Sequence, residues 1–156
     1  MLRMAGRTVV WLLVGGGVAG AIDITYAIVF SWLRRGVPAS RVLQSVASGL
    51  LGQPAYDGGW ATAALGLALH FLIAYTAAAI YFIASRWLGV LTRRAWVCGV
   101  LYGAWIYAFM NLVVIPLSRF PTTPAYPPVV LVTGLLVHTL GIGVPMALAA
   151  RQAADR

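Results

Sequence analysis

The chain has 156 residues, of which 62% are hydrophobic and 9% charged, whereas a soluble globular domain carries roughly a quarter charged residues. Its eleven basic residues are all arginine and face three acids, for a formal net charge of +8. This composition leaves too little polar surface for a water-soluble domain. Because the arginines flank apolar runs instead of forming a basic stripe with aromatic platforms, it also argues against a nucleic-acid partner.

Four apolar runs follow in chain order: Val9–Leu33, Trp60–Ala84, Ala95–Leu117 and Val129–Ala150. Each exceeds the ~20 helical residues that cross a ~30 Å hydrocarbon core. Backbone groups in lipid must be bonded within the segment, and no alternating pattern suggests a barrel, so each run is expected to be a helix. The expected fold is all-α: a single-domain integral membrane four-helix bundle over residues 1–156. Trp32, Tyr56, Trp60, Trp87, Trp96 and Tyr126 lie near the run ends, as an aromatic belt requires.

The first run is preceded by Arg3 and Arg7 and contains Ala19-Gly20-Ala21, the spacing of a signal-cleavage site. The apolar run continues to Leu33 with no polar cleavage region, so the segment is expected to stay as a span. Between the first two runs, SRVLQSVASGLL (residues 40–51) alternates at helical spacing. Val42, Leu43, Val46 and Leu50 oppose Arg41, Gln44, Ser45 and Ser48. A short amphipathic helix lying on the membrane is expected, capped by Ser40 and ended by Gly52 and Pro54. A turn at AYDGG leads into the second run. The connection from the second to the third run is short and basic, and Cys98 beyond it reads as a small core residue. The last connection, SRFPTTPAYPP, carries four prolines and is expected to be extended.

Arginine counts set the expected orientation. Arg3, Arg7, Arg86, Arg93, Arg94, Arg151 and Arg156 fall on one side of a four-span chain, and Arg34, Arg35, Arg41 and Arg119 on the other. Both termini are therefore expected to be cytoplasmic.

Each run carries one conspicuous polar residue: Asp23, His70, Asn111 and His138. Counted from the loop-side helix ends, their depths are about 15, 15, 9 and 14 Å at 1.5 Å per residue. Each lies on a stripe that includes small residues: Gly16-Gly20-Asp23-Ala27, Ala63-Gly66-His70-Ala74-Ala77, Gly99-Gly103-Tyr107-Asn111 and Gly134-His138-Gly141-Pro145. Small residues mark close approach of transmembrane helices, so the polar groups are expected to point into the bundle.

Several readings of this layer remain open. It can be interhelical hydrogen-bonding glue. It can be a pocket or relay for a small molecule, ion or proton, made of Asp23, His70, Asn111 and His138 and roofed by the two loop-side connections, since intramembrane ionisable groups commonly mark functional paths. It can hold a haem between His70 and His138, two histidines on separate helices being chemically sufficient as axial ligands; no other cofactor is expected. The chain can also serve as an accessory subunit, as a homo-oligomer or beside a larger membrane partner. No H-E-x-x-H, cysteine pair, phosphate loop or nucleophile elbow occurs, so neither a metal site nor an enzyme is indicated.

The runs GLLGQPAYDGGWATAALGLALHF and MNLVVIPLS resemble a group of small bacterial inner-membrane proteins with four spans and no assigned activity. The resemblance reaches from the GAID segment to the GVPMAL segment. It implies a bacterial inner-membrane location and carries no functional residues.

Overall fold

The computed structural model describes residues 2–122 and 125–154, with side chains from Gly6 onward. The Arg3 side chain, Thr123 and Pro124 of the proline-rich connection, and Arg156 lie outside the described residues. The described residues are mostly helical, with no strand among them. Four helices are long and apolar enough to cross a membrane: Gly6–Arg35, Gly59–Trp87, Ala95–Leu117 and Pro128–Ala154. The third has the bounds read from the sequence, and the others extend a few residues further. Large apolar side chains such as Leu72, Leu101, Leu112 and Leu140 face outward, and Trp32, Trp60, Trp87 and Trp96 are exposed at the helix ends. Both patterns suit a lipid surround with an aromatic belt.

The fourth span is the hub. Its terminal half packs against the first and third spans, while the second and third share almost no backbone-level packing. Glycines permit the closest approaches. A Cβ on Gly99 would lie 2.8 Å from Val144 Cα, and one on Gly15 would lie 2.7 Å from Ala149 Cβ. The second and third spans are instead bridged by the Tyr102 hydroxyl, which donates to the Ala77 carbonyl at 2.7 Å. Toward the termini, Tyr81, Phe82, Ala95, Ala147, Ala149 and Ala150 form one buried cluster. Ala19, Ala78, Ile106, Ile142 and Met146 form a second.

Two spans are interrupted. The third widens into a π-type turn at Met110–Val114, and the fourth does so at Val137–Gly143. The cause lies just downstream in each case. Pro116 and Pro145 have no N–H to give the carbonyl four residues back, and their rings crowd it. An opened turn relieves that clash. Asn111 and His138 sit inside these two turns.

The helix between the first two spans covers Ala39–Leu51. Its ending is as read: Gly52 adopts φ +73° and its N–H returns to the Ser48 carbonyl. Its start and its faces differ from the reading. The capping position is Pro38, with no side-chain cap bond, so Ser40 is not the cap. The buried residues are Val42, Gln44, Ala47 and Ser48, whereas Leu50 is exposed. The helix packs on the second span instead of lying free on lipid. The Leu43 carbonyl fills the space over Gly66, where any Cβ would collide with it. Gln44 Nε2 donates to the Gly59 carbonyl at 2.9 Å. Ser45 and Ser48 donate to carbonyls three residues back, Val42 and Ser45 respectively, which lets small hydroxyls be buried. The proline-rich connection is tied to this helix by the Arg119 N–H, which donates to the Gly49 carbonyl at 2.8 Å. Its described residues from Arg119 to Pro127 form no helix or strand.

Candidate functional site

Asp23, His70, Asn111 and His138, one from each span, line a single cavity of about 710 Å³. That volume lies within the range of ligand pockets, about 300–1,000 Å³. The wall is mostly apolar, with Ile73, Ala74, Met110, Ile142 and Met146 among its residues. The loop end is framed by Arg34, Arg35, Phe120 and Tyr126, and by Val42, Ser45 and Val46 of the connecting helix. Partial burial raises the Tyr126 phenol above its usual range, so this group stays a neutral hydroxyl at the mouth. Below Asp23 the cavity ends on the buried layer of Ala19, Ile106, Ile142 and Met146. The lining reaches from that layer to the two loop-end connections.

One wall joins the first and second spans. His70 Nε2 lies 2.8 Å from the Gly20 carbonyl oxygen. A carbonyl can only accept, so Nε2 carries the hydrogen and donates. Nδ1 is left facing Asp23, whose Oδ2 is 4.0 Å away. The Asp23 side chain is 26% exposed, toward the cavity, against 12% for His70. At that separation the two groups face each other without a direct hydrogen bond. Close approach here depends on Gly20, where a Cβ would lie 2.9 Å from the Phe71 ring.

The other wall joins the third and fourth spans. His138 Nδ1 lies 2.9 Å from the Gly134 carbonyl, so Nδ1 is the protonated nitrogen and Nε2 the acceptor. The Tyr107 and His138 rings meet edge-on, centroids 5.0 Å apart. Asn111 Nδ2 donates to the Tyr107 carbonyl at 2.8 Å on its own helix. Asn111 thus belongs to the cavity wall and makes no bond across helices among the described residues. Across the mouth, the Thr133 hydroxyl hydrogen goes to the Val129 carbonyl, so the Tyr26 hydroxyl donates to Thr133 Oγ1, at 2.7 Å.

The stripes read from the sequence serve two purposes. Gly20, Asp23 and Ala27 line the cavity, as do His70, Ala74 and Ala77. Ala63 and Gly66, on the same stripe as His70, are buried, and Gly66 meets the connecting helix instead. Two residues that matter were not among the polar four. Gln44, only 4% exposed, anchors the connecting helix. Tyr107 lies on a stripe read from the sequence, and its hydroxyl is buried with no hydrogen-bond partner among the described residues. No cluster of three metal-ligating side chains occurs among the described residues. Comparison with protein-family models, curated proteins and solved structures finds no match.

Proposed function

We propose that this chain is a multi-pass protein of the bacterial inner membrane that binds a small molecule, or holds an exchangeable proton, in the cavity between its four spans, without catalysing a reaction. The observation that carries this reading is that four polar residues from four different helices line one largely apolar cavity. The Asp23–His70 pair supplies the exchangeable proton. The buried apolar layer beneath it favours binding over passage. Both termini are proposed to be cytoplasmic on the arginine distribution, which directs the mouth away from the cytoplasm.

A haem between His70 and His138 has less support. His70 Nε2 is engaged by the Gly20 carbonyl, and coordination through that nitrogen would have to break this bond. A purely structural layer has some support in His70, whose Nε2 donates across to the Gly20 carbonyl of the first span, although Asn111 bonds within its own helix. It has less in Asp23, whose carboxylate meets His70 at 4.0 Å and otherwise faces open cavity.

The test is extraction of small molecules from protein purified in mild detergent, compared between the wild type and Asp23→Asn by mass spectrometry. The wild type is expected to retain a species in near-stoichiometric amount that the helical, folded variant retains less. Identical contents in the two preparations would overturn the binding reading. Loss of folding in the variant would favour the structural one.

A further inference from the structure

Asp23 and His70 leave a gap between them that neither side chain fills. His70 Nε2 donates to the Gly20 carbonyl at 2.8 Å, so in the neutral ring Nδ1 carries a lone pair and no hydrogen. Asp23 Oδ2 stands 4.0 Å from that Nδ1. The separation exceeds a hydrogen bond, and both atoms are acceptors. A proton on Nδ1 alone does not close the gap, because its hydrogen would stop short of the carboxylate.

Both groups are open to the cavity. The Asp23 side chain is 26% exposed and that of His70 12%, and both line its wall. Among the described residues, the Tyr107 hydroxyl is the one buried side-chain nitrogen or oxygen without a partner. The unpartnered His70 Nδ1 and Asp23 carboxylate are therefore reached from the cavity.

Two acceptors facing each other across 4.0 Å call for a donor between them. A nitrogen placed about 2.9 Å from each would see them about 90° apart. The H–N–H angle of an ammonium is about 109°, so each N–H would point within about 10° of its acceptor. A zinc-like ion at about 2.1 Å from each would see them roughly 150° apart, far from tetrahedral. Hard cations take six or more oxygen ligands, and this wall offers one carboxylate. An alcohol has one hydrogen and serves one acceptor. Water could serve both, but it occupies about 30 Å³ of a much larger, mostly apolar-walled space.

The charges of the cavity agree with a cation at this depth. Arg34 and Arg35 line the mouth. The Arg34 guanidinium lies over the Phe30 ring, 5.5 Å from its centroid. That level is about 10 Å along the helix from Asp23, and Arg35 is about 18 Å along it, at 1.5 Å per residue. Since Coulomb energy falls as inverse distance, the two together offset about half the attraction of a carboxylate about 3 Å away.

We propose that the cavity takes a protonated primary or secondary amine on an apolar body, with its nitrogen held between the Asp23 carboxylate and His70 Nδ1. This rests on the reading above that the cavity holds a ligand. The apolar body lies against Ile73, Ala74 and Met110.

The test uses the full chain in mild detergent near neutral pH, and native mass spectrometry with three probes: n-decylamine, decyltrimethylammonium and n-decanol. Wild-type protein is expected to retain decylamine above both others, since the trimethyl salt has charge without N–H and the alcohol has no charge. Asp23→Asn is expected to weaken decylamine at least about tenfold, a charged hydrogen bond's worth, with decanol unchanged. His70→Phe is expected to weaken it about two- to tenfold. Equal retention of decylamine and either other probe by the wild type overturns the amine assignment and leaves the cavity reading standing. So does normal decylamine binding by folded Asp23→Asn, the result expected if water alone bridges the pair. Retention of none of the probes by folded wild-type protein overturns both. The wild-type probe series decides the matter even if a variant fails to fold.

Discussion

Gly103→Ala is expected to be among the most damaging single-methyl additions in the chain. The new Cβ would collide with the His138 carbonyl oxygen and would lie 2.6 Å from its carbon and 2.7 Å from Thr139 Cα. All three are backbone atoms, so no side-chain rotation relieves the contact. Restoring an ordinary separation of about 3.5 Å at Thr139 alone requires the third and fourth spans to part by roughly 0.8 Å, and the closer His138 carbonyl oxygen requires more. A gap of that size forfeits about a quarter to a half of each dispersion contact along the seam. Overpacking of this kind costs about 1–3 kcal/mol. It also moves His138 away from Tyr107, so ligand retention is expected to fall along with stability. The assay is unfolding by SDS in mixed micelles, followed by far-ultraviolet circular dichroism. Gly17→Ala is the control, because its Cβ meets only the end of the Tyr75 side chain, at 3.2 Å from the hydroxyl. If Gly103→Ala unfolds within about 0.5 kcal/mol of the control, the helix seam is not as close as described and the reasoning fails.

Two further outcomes follow from the packing. Gly66→Val is expected to dislodge the connecting helix, because even its Cβ collides with the Leu43 carbonyl and lies 3.2 Å from the Ala47 nitrogen. Amide hydrogen exchange should then quicken over residues 39–51 while the spans stay protected, and unchanged protection there would count against the contact. Tyr102→Phe removes the bridge to the Ala77 carbonyl between two spans whose backbones scarcely approach each other, and leaves the contact of the Tyr81 ring with the ring at 102 in place. A destabilisation of about 0.6 kcal/mol, and no more than about 1.7, is expected in the same SDS titration. A loss several times larger would mean that this hydroxyl organises far more than one bond.

The spans were legible because long uncharged runs have few alternatives, and Ala95–Leu117 is reproduced residue for residue. The layer of Asp23, His70, Asn111 and His138 was legible because helical spacing fixes both depth and face. The faces of the connecting helix were not. Sorting its residues by polarity put Gln44 and Ser48 outside and Leu50 inside, and the structure has the reverse. The sorting presumed that burial follows polarity. Serine hydroxyls bonded to their own helix, and an amide matched to the Gly59 carbonyl, remove that requirement. The split role of the Ala63–Gly66–His70 stripe was hidden for a related reason: small residues announce close approach without saying which neighbour approaches. The π-type turns had a sequence signal in Pro116 and Pro145, but a proline alone does not distinguish a kink from a widened turn. The unmet Tyr107 hydroxyl had no sequence signal, because it depends on where every neighbouring hydrogen bond goes.

The central claim is that the polar layer lines a cup opening toward the loop end. Sided cysteine labelling tests it most directly. In a Cys98→Ala background, Asp57→Cys marks the loop end, Ala27→Cys lies on the cavity wall, and Ala78→Cys lies in the fully buried layer beneath it. With an impermeant anionic methanethiosulfonate added to intact cells, Asp57→Cys and Ala27→Cys are expected to react and Ala78→Cys to remain unmodified. Reaction of Ala27→Cys from the face opposite to Asp57→Cys, or no reaction of Ala27→Cys from either face, would contradict the account.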